Sequence, residues 1–433
     1  MVKYFLYIFF IIIFSIIIIK YNKYLLYVYI ASIQFENGIV IDFLPFTISK
    51  VAFIAFIISF AYDYIYNSSK YIKKSYYSLT FIIICIFEIV YITINTLISI
   101  NFSFSMNYYN TIIQNLVMVF LVSLYIMSHD NVNIEKCFIA YTIASIIIAI
   151  IGIFKIIAGE NIIYIISNRL SPFGVPGDEA HFAAAMIPSI SYLLYLLFIK
   201  GSKHRIIIFT SVFLLIFVIL FSQTRSAWVA TISLLLFYIY KTIKKNIKNL
   251  KFIFYSVFFI AIFLFIIYIL SPSLILMIEH IIENRATGSL ASGGSGRTQI
   301  WLYGIRMIKY NFLFGSGFMS FPEVFSKYYQ SITINGIFNA LYAGRDAHNI
   351  YLSTLIEAGV IGCIIYMIFY LYLINKSLKK IADSINITVI SSFISYLIIG
   401  FFLNISMRKY FWIIIAYYVV IAEKKDRTCI RRS

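Results

Sequence analysis

Arginines suited to binding an anion stand at four places between the long apolar runs of this sequence. They are Arg169 in RLSPFGVPGDEAHF, Arg225 in SQTRSAW, Arg297 at the end of SGGSGR and Arg345 in GRDAHN. Guanidinium stays charged and presents a planar fork of N–H donors that matches the oxygens of phosphate. Small residues flank Arg225 and Arg297, and they would let a bulky anion approach closely. The alternative for any single arginine is a side chain that lies along lipid with its charge in water.

A histidine suited to proton transfer follows the last of these arginines. His348 lies between Asp346 and Asn349, directly before a long apolar run that predicts a helix. Nearby arginines and a helix N-terminus both disfavour the charged imidazolium. The neutral imidazole can act as a general base near pH 7. His181, in GDEAHF, is a weaker candidate, and a structural role is the simpler interpretation of His129, His204 and His280.

Acidic residues supply further candidates. Asp178 and Glu179 are adjacent, and their carboxylates could bind a metal ion or the hydroxyl groups of a sugar. The alternative is that they stabilise the N-terminus of a helix, where negative charge is favourable. Glu88 lies in the middle of IIICIFEIVYITIN. An acidic residue inside a membrane is either functional or held neutral by a hydrogen bond to a neighbouring helix.

The composition indicates which solvent surrounds these residues. Of the 433 residues, 62% are hydrophobic and 12% are charged, and the mean hydropathy is +0.92. Soluble domains are about 45–50% apolar and about 25% charged, so a cytosolic enzyme, a DNA-binding protein and a secreted disulfide scaffold are excluded. We predict an all-α integral membrane protein. The net charge of +18 does not indicate nucleic acid, because the basic residues cluster in short loops between apolar runs.

Apolar runs of sufficient length predict 12 or 13 transmembrane helices, since a helix needs about 20 apolar residues to cross a bilayer. The run 24–42 is the weakest, because it contains Gln34, Glu36 and Asn37 and could be re-entrant. The whole chain, 1–433, is therefore predicted to form a single polytopic domain. The predicted spans are 4–19, 24–42, 45–62, 79–100, 111–127, 137–158, 181–199, 206–222, 225–240, 252–270, 349–374, 385–403 and 409–422.

The basic residues also predict the orientation of the chain. Most of the 35 lysines and arginines fall in alternate loops and in the C-terminal tail, which places these segments in the cytoplasm. The extracytoplasmic side then receives 159–180, the short turn 223–225 and the long segment 271–348. Helical spacing within that segment predicts an interfacial helix at 299–313. Because loops of this length are usually functional or disordered, we expect 271–348 to carry part of an active site.

Three motifs, taken in order, resemble the O-antigen ligase/polymerase family. They are SQTRSAW, then SGRTQIWLYGIRMIKYNFLFGSGF, then AHNIYLSTLIEAGVIG. The stretch RLSPFGVPGDEAHFAAAM resembles the family's segment before the middle spans, although an acidic residue replaces the usual asparagine near Asp178. The resemblance covers roughly residues 165–375, and the first 160 residues are similar by hydropathy alone.

This resemblance implies a C-type glycosyltransferase-like membrane fold and a metal-independent, inverting glycosyltransferase that needs no cofactor. Such enzymes transfer a glycan from undecaprenyl pyrophosphate to a hydroxyl of a glycan or lipid-core acceptor, at the outer face of the bacterial cytoplasmic membrane. By motif match, Arg225 and Arg297 would bind the pyrophosphate and His348 would activate the acceptor. The implied partners besides donor and acceptor are membrane lipids, a chain-length regulator and a flippase. Additional candidate residues are Arg169, Arg345, Asp178 and Glu179.

The acceptor stays open at this point, because nothing in the sequence reports it. An O-antigen or capsule-type polysaccharide polymerase is slightly favoured over an O-antigen ligase. The alternative class is a non-enzymatic flippase or exporter of lipid-linked oligosaccharide. It predicts charged residues at mid-depth and often two similar halves, whereas little beyond Glu88 and Glu357 lies near the middle of the predicted spans. A structural or sensor protein would leave the arginines and His348 unexplained.

Overall fold

The computed structural model describes residues 22–36, 47–74, 77–157, 179–245, 297–332, 346–378 and 385–423, and every regular element in these ranges is helical. Short turns of 3₁₀ type follow α1 and α10, and a π turn follows α7. The helices are α1 (Asn22–Ser32), α2 (Ile48–Lys74), α3 (Leu79–Leu97), α4 (Phe102–Ser128), α5 (Ile134–Ile157), α6 (Glu179–Ala185), α7 (Ile187–Tyr195), α8 (Arg205–Phe221), α9 (Arg225–Lys245), α10 (Arg297–Met307), α11 (Phe321–Ile332), α12 (Ile350–Glu357), α13 (Gly359–Leu378), α14 (Asn386–Gly400) and α15 (Lys409–Glu423).

Six segments within the described residues are helical, long and apolar enough to cross a membrane. Shorter apolar helices cover Tyr24–Phe35, Arg205–Phe221 and Asn386–Gly400. The composition therefore gave the correct class, an all-helical chain with several spans. The six long segments are Ile48–Tyr66, Leu79–Leu97, Phe102–Ser128, Ile134–Phe154, Glu179–Lys200 and Gly359–Ser377.

The outward face of α3 shows why these helices need lipid around them. Ile83, Ile86, Phe87, Val90 and Ile94 follow one another at intervals of one helical turn or less, and each is between 42% and 63% exposed. Residues three and four apart lie on one side of a helix. Their side chains form a continuous apolar stripe on the exterior. Soluble monomers rarely expose an apolar surface of this kind to water.

The helices match most of the predicted spans in position. The run 111–127 lies in a longer helix, because α4 begins at Phe102, and the run 181–199 is divided at Met186 between α6 and α7. Two further runs also differ. The run 349–374, predicted as one span, is broken: α12 ends at Glu357 and α13 begins at Gly359, whose φ is +61°. The run 45–62 continues as helix to Lys74, beyond a kink at Asn67. The predicted spans 4–19 and 252–270 lie outside the described residues, so the total of 12 or 13 stays a prediction.

Helix α15 forms the centre of the bundle. Every residue from Tyr410 to Glu423 is buried, and the helix packs against α4, α13 and α14. Aromatic rings make much of this contact; Phe411, for example, stacks on Phe393 with ring centroids 6.3 Å apart. A helix that is apolar on all sides is expected in the core of a large bundle.

Polar contacts mark the two ends of the bundle. At one end, Nζ of Lys409 lies 2.8 Å from Oε1 of Glu36 and 2.7 Å from Oγ of Ser49. At the opposite end, Oε2 of Glu423 accepts the backbone N–H of Ser78 at 2.6 Å. Because α15 runs from Lys409 to Glu423, these contacts define opposite ends. We call the end that contains Lys409 the site end.

Candidate active site

Several helices begin at the site end. Helix α9 begins with Arg225, α10 begins with Arg297, α12 follows His348 and Asn349, and α15 follows Arg408. The first backbone N–H groups of a helix have no partner within it, and the aligned peptide dipoles add a partial positive charge there. This end of the bundle is therefore electrostatically suited to an anion.

Arg225 owes its position to the tight turn that joins α8 to α9. Gln223 adopts a left-handed conformation with φ of +54°, and the carbonyl of Thr224 accepts the N–H of Ala227 at 3.1 Å, which starts α9. The Thr224 hydroxyl donates to the carbonyl of Glu179 at 3.4 Å, so the starts of α6 and α9 meet. Ala227 is completely buried. Its small side chain packs against neighbouring helices, and the expectation that small neighbours of Arg225 let an anion approach stays a prediction.

Arg297 is bonded to the loop that precedes α15. Its Nη1 donates to the carbonyl oxygen of Phe402 at 3.2 Å. One turn further along α10, Nε1 of Trp301 donates to the carbonyl oxygen of Ala347 at 2.9 Å. Helix α10 therefore connects the residue before His348 with the loop 401–408.

His348 has an unusual backbone conformation. Its φ is +48°, in the left-handed region that costs a residue with a side chain about 1–2 kcal/mol. Asn349 then caps α12, since its Oδ1 accepts the N–H groups of Tyr351 and Leu352 at 3.0 Å each. Strained residues of this kind persist where the surroundings fix them, and they cluster at functional sites.

A glycine-rich loop of residues 311–320 fixes the far end of α12. Backbone N–H groups of this loop and of the α12–α13 break bond across to each other: Ser316 to Ile356 at 3.0 Å, Gly317 to Glu357 at 2.9 Å, and Val360 to Phe312 at 2.9 Å. We call these paired segments, 312–317 and 356–361, the glycine clamp. A Cβ added to Gly315 would lie 2.3 Å from the carbonyl oxygen of Glu357, and one on Gly359 would lie 2.4 Å from that of Leu313. The two backbones can approach this closely only because both residues are glycine.

Asn95, at the end of α3, completes the clamp. Its Nδ2 donates to the carbonyls of Phe314 at 2.8 Å and Glu357 at 3.1 Å, and its Oδ1 accepts the N–H of Phe318 at 3.1 Å. The side chain is 1% exposed. All of its bonds go to the clamp or to the residue beside it, so α3 holds α12 and the loop 311–320 in one arrangement.

Glu357 belongs to this clamp and not to the middle of a span, where the sequence placed it. The candidate span begins two residues later, at Gly359. Oε1 of Glu357 accepts the backbone N–H of Phe321 at 3.1 Å, which ties α12 to the start of α11. Helix α11 is also tied to the start of α4, because Oε2 of Glu323 accepts a hydrogen bond from Nδ2 of Asn101 at 2.9 Å. Hydrogen bonds from Lys327 and Asn101 lower the pKa of Glu323.

His181 lies near both His348 and Arg408, although sequence reasoning gave His181 little weight and did not single out Arg408. Nδ1 of His181, in α6, lies 2.9 Å from the hydroxyl of Tyr410. His181 is also within electrostatic range of Arg408 and of His348. Arg408 stands directly before the last apolar run, the position that drew attention to Arg225, but it lies outside the motifs that we compared. His181 was considered only as a weak candidate.

An apolar cavity of about 310 Å³ lies beside this group. Ile350 and Tyr351 of α12 line it, and so does Ser406, two residues before Arg408. Its outer wall includes Met367 and Leu371, which are 54% and 48% exposed on the surface of α13. The cavity is therefore open toward the surroundings of the bundle and accepts apolar groups.

The other charged residues that the sequence proposed for the site differ in what the structure shows of them. Arg169, Asp178 and Arg345 lie outside the described residues. Glu179 is buried and is the first residue of α6, where a carboxylate stabilises the helix. Glu88 is fully buried, and neither oxygen has a hydrogen-bond partner among the described residues, so the bond to a neighbouring helix is not seen there. Within the described ranges, no group of three or more His, Cys, Asp and Glu side chains could hold a metal ion.

The fold defines a multi-pass membrane protein, and arginine and histidine side chains lie at one end of its helix bundle. Residues 210–367, a little over a third of the chain, match the family described as O-Antigen ligase. Members of this family are ligases and polymerases that assemble polysaccharide at the membrane. The matched segment runs from α8 into α13 and contains Arg225, Arg297 and His348. No curated protein matches the chain.

Proposed function

We propose that this protein transfers a glycan from undecaprenyl pyrophosphate to a sugar hydroxyl at the outer face of the bacterial cytoplasmic membrane. It would act as an O-antigen or capsule-type polymerase or as an O-antigen ligase. The family match supports the class of reaction. The orientation rests on the clustering of lysines and arginines in alternate loops.

One chain of contacts carries this proposal. Arg297 and Trp301 on α10 bond to Phe402 and to Ala347, the residue before His348. His348 is within electrostatic range of His181, which is two residues after Glu179. The carbonyl of Glu179 accepts a bond from Thr224, the residue before Arg225. Residues that the sequence separates by more than a hundred positions are thus linked at one end of the bundle.

The proposed reaction assigns a role to each of three residues. His348 takes the proton of the acceptor hydroxyl as the hydroxyl oxygen attacks the anomeric carbon of the glycan. The bond from that carbon to the diphosphate oxygen breaks, and the diphosphate leaves with the electron pair. Arg225 and Arg297 stabilise the negative charge that develops on the leaving group. Attack on the face opposite the diphosphate inverts the configuration at the anomeric carbon.

The cavity between α12, α13 and α15 fits the lipid part of such a donor. Its lining includes Ile350, two residues after His348, and Ser406, two residues before Arg408, and it is almost entirely apolar. A polyprenyl chain is a flexible hydrocarbon, and its burial in an apolar cavity is favourable. The donor could therefore enter from the bilayer with its diphosphate directed to the site end.

A reconstituted assay tests the reaction. Purified protein in vesicles is given an undecaprenyl-pyrophosphate-linked oligosaccharide, and release of the lipid diphosphate and formation of a longer glycan are measured. We expect Arg297→Gln to lower the rate roughly 10²–10³-fold and His348→Ala to abolish turnover. Arg306→Gln, which removes an exposed arginine on the same helix, is the matched control and should keep full activity. Full activity of His348→Ala would contradict the mechanism, and lipid movement across the vesicle without any new glycosidic bond would support a flippase.

Labelling of engineered cysteines tests the orientation. Glu323→Cys, on α11, should react with a membrane-impermeant thiol reagent applied outside intact cells. Lys203→Cys, in the loop before α8, should react only after the membrane is permeabilised. The opposite pattern would place the site in the cytoplasm and overturn the proposed location.

A further inference from the structure

The loop 401–408, which lies beyond the segment matched to the family, is rigidly held against the site. Nδ2 of Asn115 donates to the carbonyl of Met407 at 3.3 Å, and Nε1 of Trp412 donates to that of Ser406 at 2.5 Å. The N–H of Arg408 bonds to the carbonyl of Ile405 at 3.1 Å. The backbone of Arg408 is therefore fixed from α4, from α15 and from within the loop.

Arg408 lies near the same histidine as His348. Nδ1 of His181 is 2.9 Å from the hydroxyl of Tyr410, two residues after Arg408, and both Arg408 and His348 are within electrostatic range of His181. The next residue, Lys409, has a different environment, because its ammonium is paired with Glu36 at 2.8 Å and is 12% exposed. Lys409 is therefore paired with Glu36, whereas Arg408 is the one of the two cations that lies near His181.

Arg297 approaches this loop from the other side. Its Nη1 bonds to the carbonyl of Phe402, at the start of the loop that ends with Arg408. Arg297 and Arg408 therefore stand at opposite ends of one short loop, and cations on two sides of a site favour an anion that carries more than one negative charge. A diphosphate, with its several oxygens on two phosphorus atoms, can accept bonds from guanidinium groups on two sides at once.

We propose that Arg408 is a third guanidinium ligand of the donor diphosphate and that it gives the site its preference for diphosphate over monophosphate. The inference rests on the proposed function, since it names a further residue of the same site. Arg408 binds one phosphate from the α15 side, and Arg297 binds the diphosphate from the α10 side.

A binding titration tests this role without requiring turnover. The full chain in lipid nanodiscs is titrated with farnesyl diphosphate and, separately, with farnesyl monophosphate. We expect Arg408→Gln to weaken binding of the diphosphate at least tenfold and that of the monophosphate less than threefold, so that the preference is lost. Arg408→Lys keeps the charge but not the planar fork, and it should bind the diphosphate with intermediate affinity. Arg306→Gln is the matched control and should bind both as the wild type does.

Each alternative outcome is distinct. If Arg408→Gln, or the better-tolerated Arg408→Lys, binds the diphosphate as tightly as wild type while Arg297→Gln does not, the inference is overturned and the proposed function stands. If Arg408→Gln loses both probes equally and its unfolding temperature falls, Arg408 is structural and the inference is again overturned. If the wild-type protein binds neither probe, the proposed function fails first.

Discussion

The indole N–H of Trp301 donates to the carbonyl oxygen of Ala347 at 2.9 Å, and Ala347 immediately precedes His348. This bond joins the helix that begins with Arg297 to the backbone that carries the proposed base. Since His348 adopts a left-handed φ of +48°, its position depends on neighbours that hold the backbone on both sides. Asn349 does this on the helix side and Trp301 on the other.

Replacement of Trp301 by phenylalanine tests this connection. The variant keeps an aromatic ring but loses the N–H donor, at a cost of about 1 kcal/mol in stability. A small displacement of a reacting group costs far more in rate than in stability, so we expect turnover to fall roughly tenfold or more. Tyr77→Phe is the control, because it keeps an aromatic ring and removes the hydroxyl that bonds to the carbonyl of Phe120 and to Ser123, away from the site. Equal activity of the two variants would show that Trp301 does not position His348.

Alanine substitutions at two glycines test the glycine clamp. Both Gly359 and Gly201 have positive φ, +61° and +69°. A Cβ on Gly359 would lie 2.4 Å from the carbonyl oxygen of Leu313, whereas one on Gly201 would meet nothing within 4 Å. Gly201→Ala should therefore cost only the backbone strain, about 1–2 kcal/mol, while Gly359→Ala should give little folded protein. The yield of monodisperse protein and its unfolding temperature are measured for both variants. Similar values for the two would contradict the close backbone approach at Gly359.

Asn95→Leu removes three hydrogen bonds and leaves their backbone partners buried. The carbonyls of Glu357 and Phe314 still accept bonds from Gly317 and Tyr91, so the N–H of Phe318 is the partner that is left unsatisfied. An unsatisfied buried polar group costs about 1–3 kcal/mol, and we expect a loss of that size and faster proteolysis of the loop 311–320. Asn115→Leu, which removes the bond to Met407, is the comparison and should cost less. Chymotrypsin digestion of the two variants under native conditions distinguishes them, because the loop contains Phe312, Phe314 and Phe318 as cleavage sites. Equal digestion would argue against a central role for Asn95.

A double-mutant cycle tests the ion pair between Lys409 and Glu36. Their side chains are 12% and 22% exposed, so the pair is screened less than one on the surface, and we expect a coupling free energy of about 1–2 kcal/mol. The pair of Lys327 and Glu323 also has a 2.8 Å contact, but its side chains are 64% and 34% exposed. For that pair we expect a coupling free energy of about 0.5 kcal/mol or less. Equal coupling in the two cycles would mean that burial does not strengthen the first pair.

Sequence reasoning predicted the features that depend on local pattern. Apolar runs of sufficient length located the helices, because the bilayer imposes that length on any span. The position of Arg225, Arg297 and His348 at the edges of these runs was visible for the same reason. Their roles stay predictions until the assays above are done.

Other features depend on contacts between distant parts of the chain, and no local pattern reports those. The break after Glu357 is an example. The run 349–374 contains one charged residue, Glu357, and is long and apolar enough to predict a single span, but the helix is interrupted where the loop 311–320 packs its backbone against Gly359. Arg408 is another, since its connection with His181 joins α6 to α15 across more than two hundred residues. Only the folded arrangement places such residues together.

The burial of α15 along its whole length has a consequence for biosynthesis. The ribosome makes the N-terminal helices first, and until it has passed Glu423 the earlier helices have no partner for the surfaces that α15 covers. Nascent chains would hold an unfilled groove in the bilayer, open to lipid tails or to an insertion chaperone. Assembly of the site end would then be a late, nearly all-or-none event that coincides with the arrival of α15.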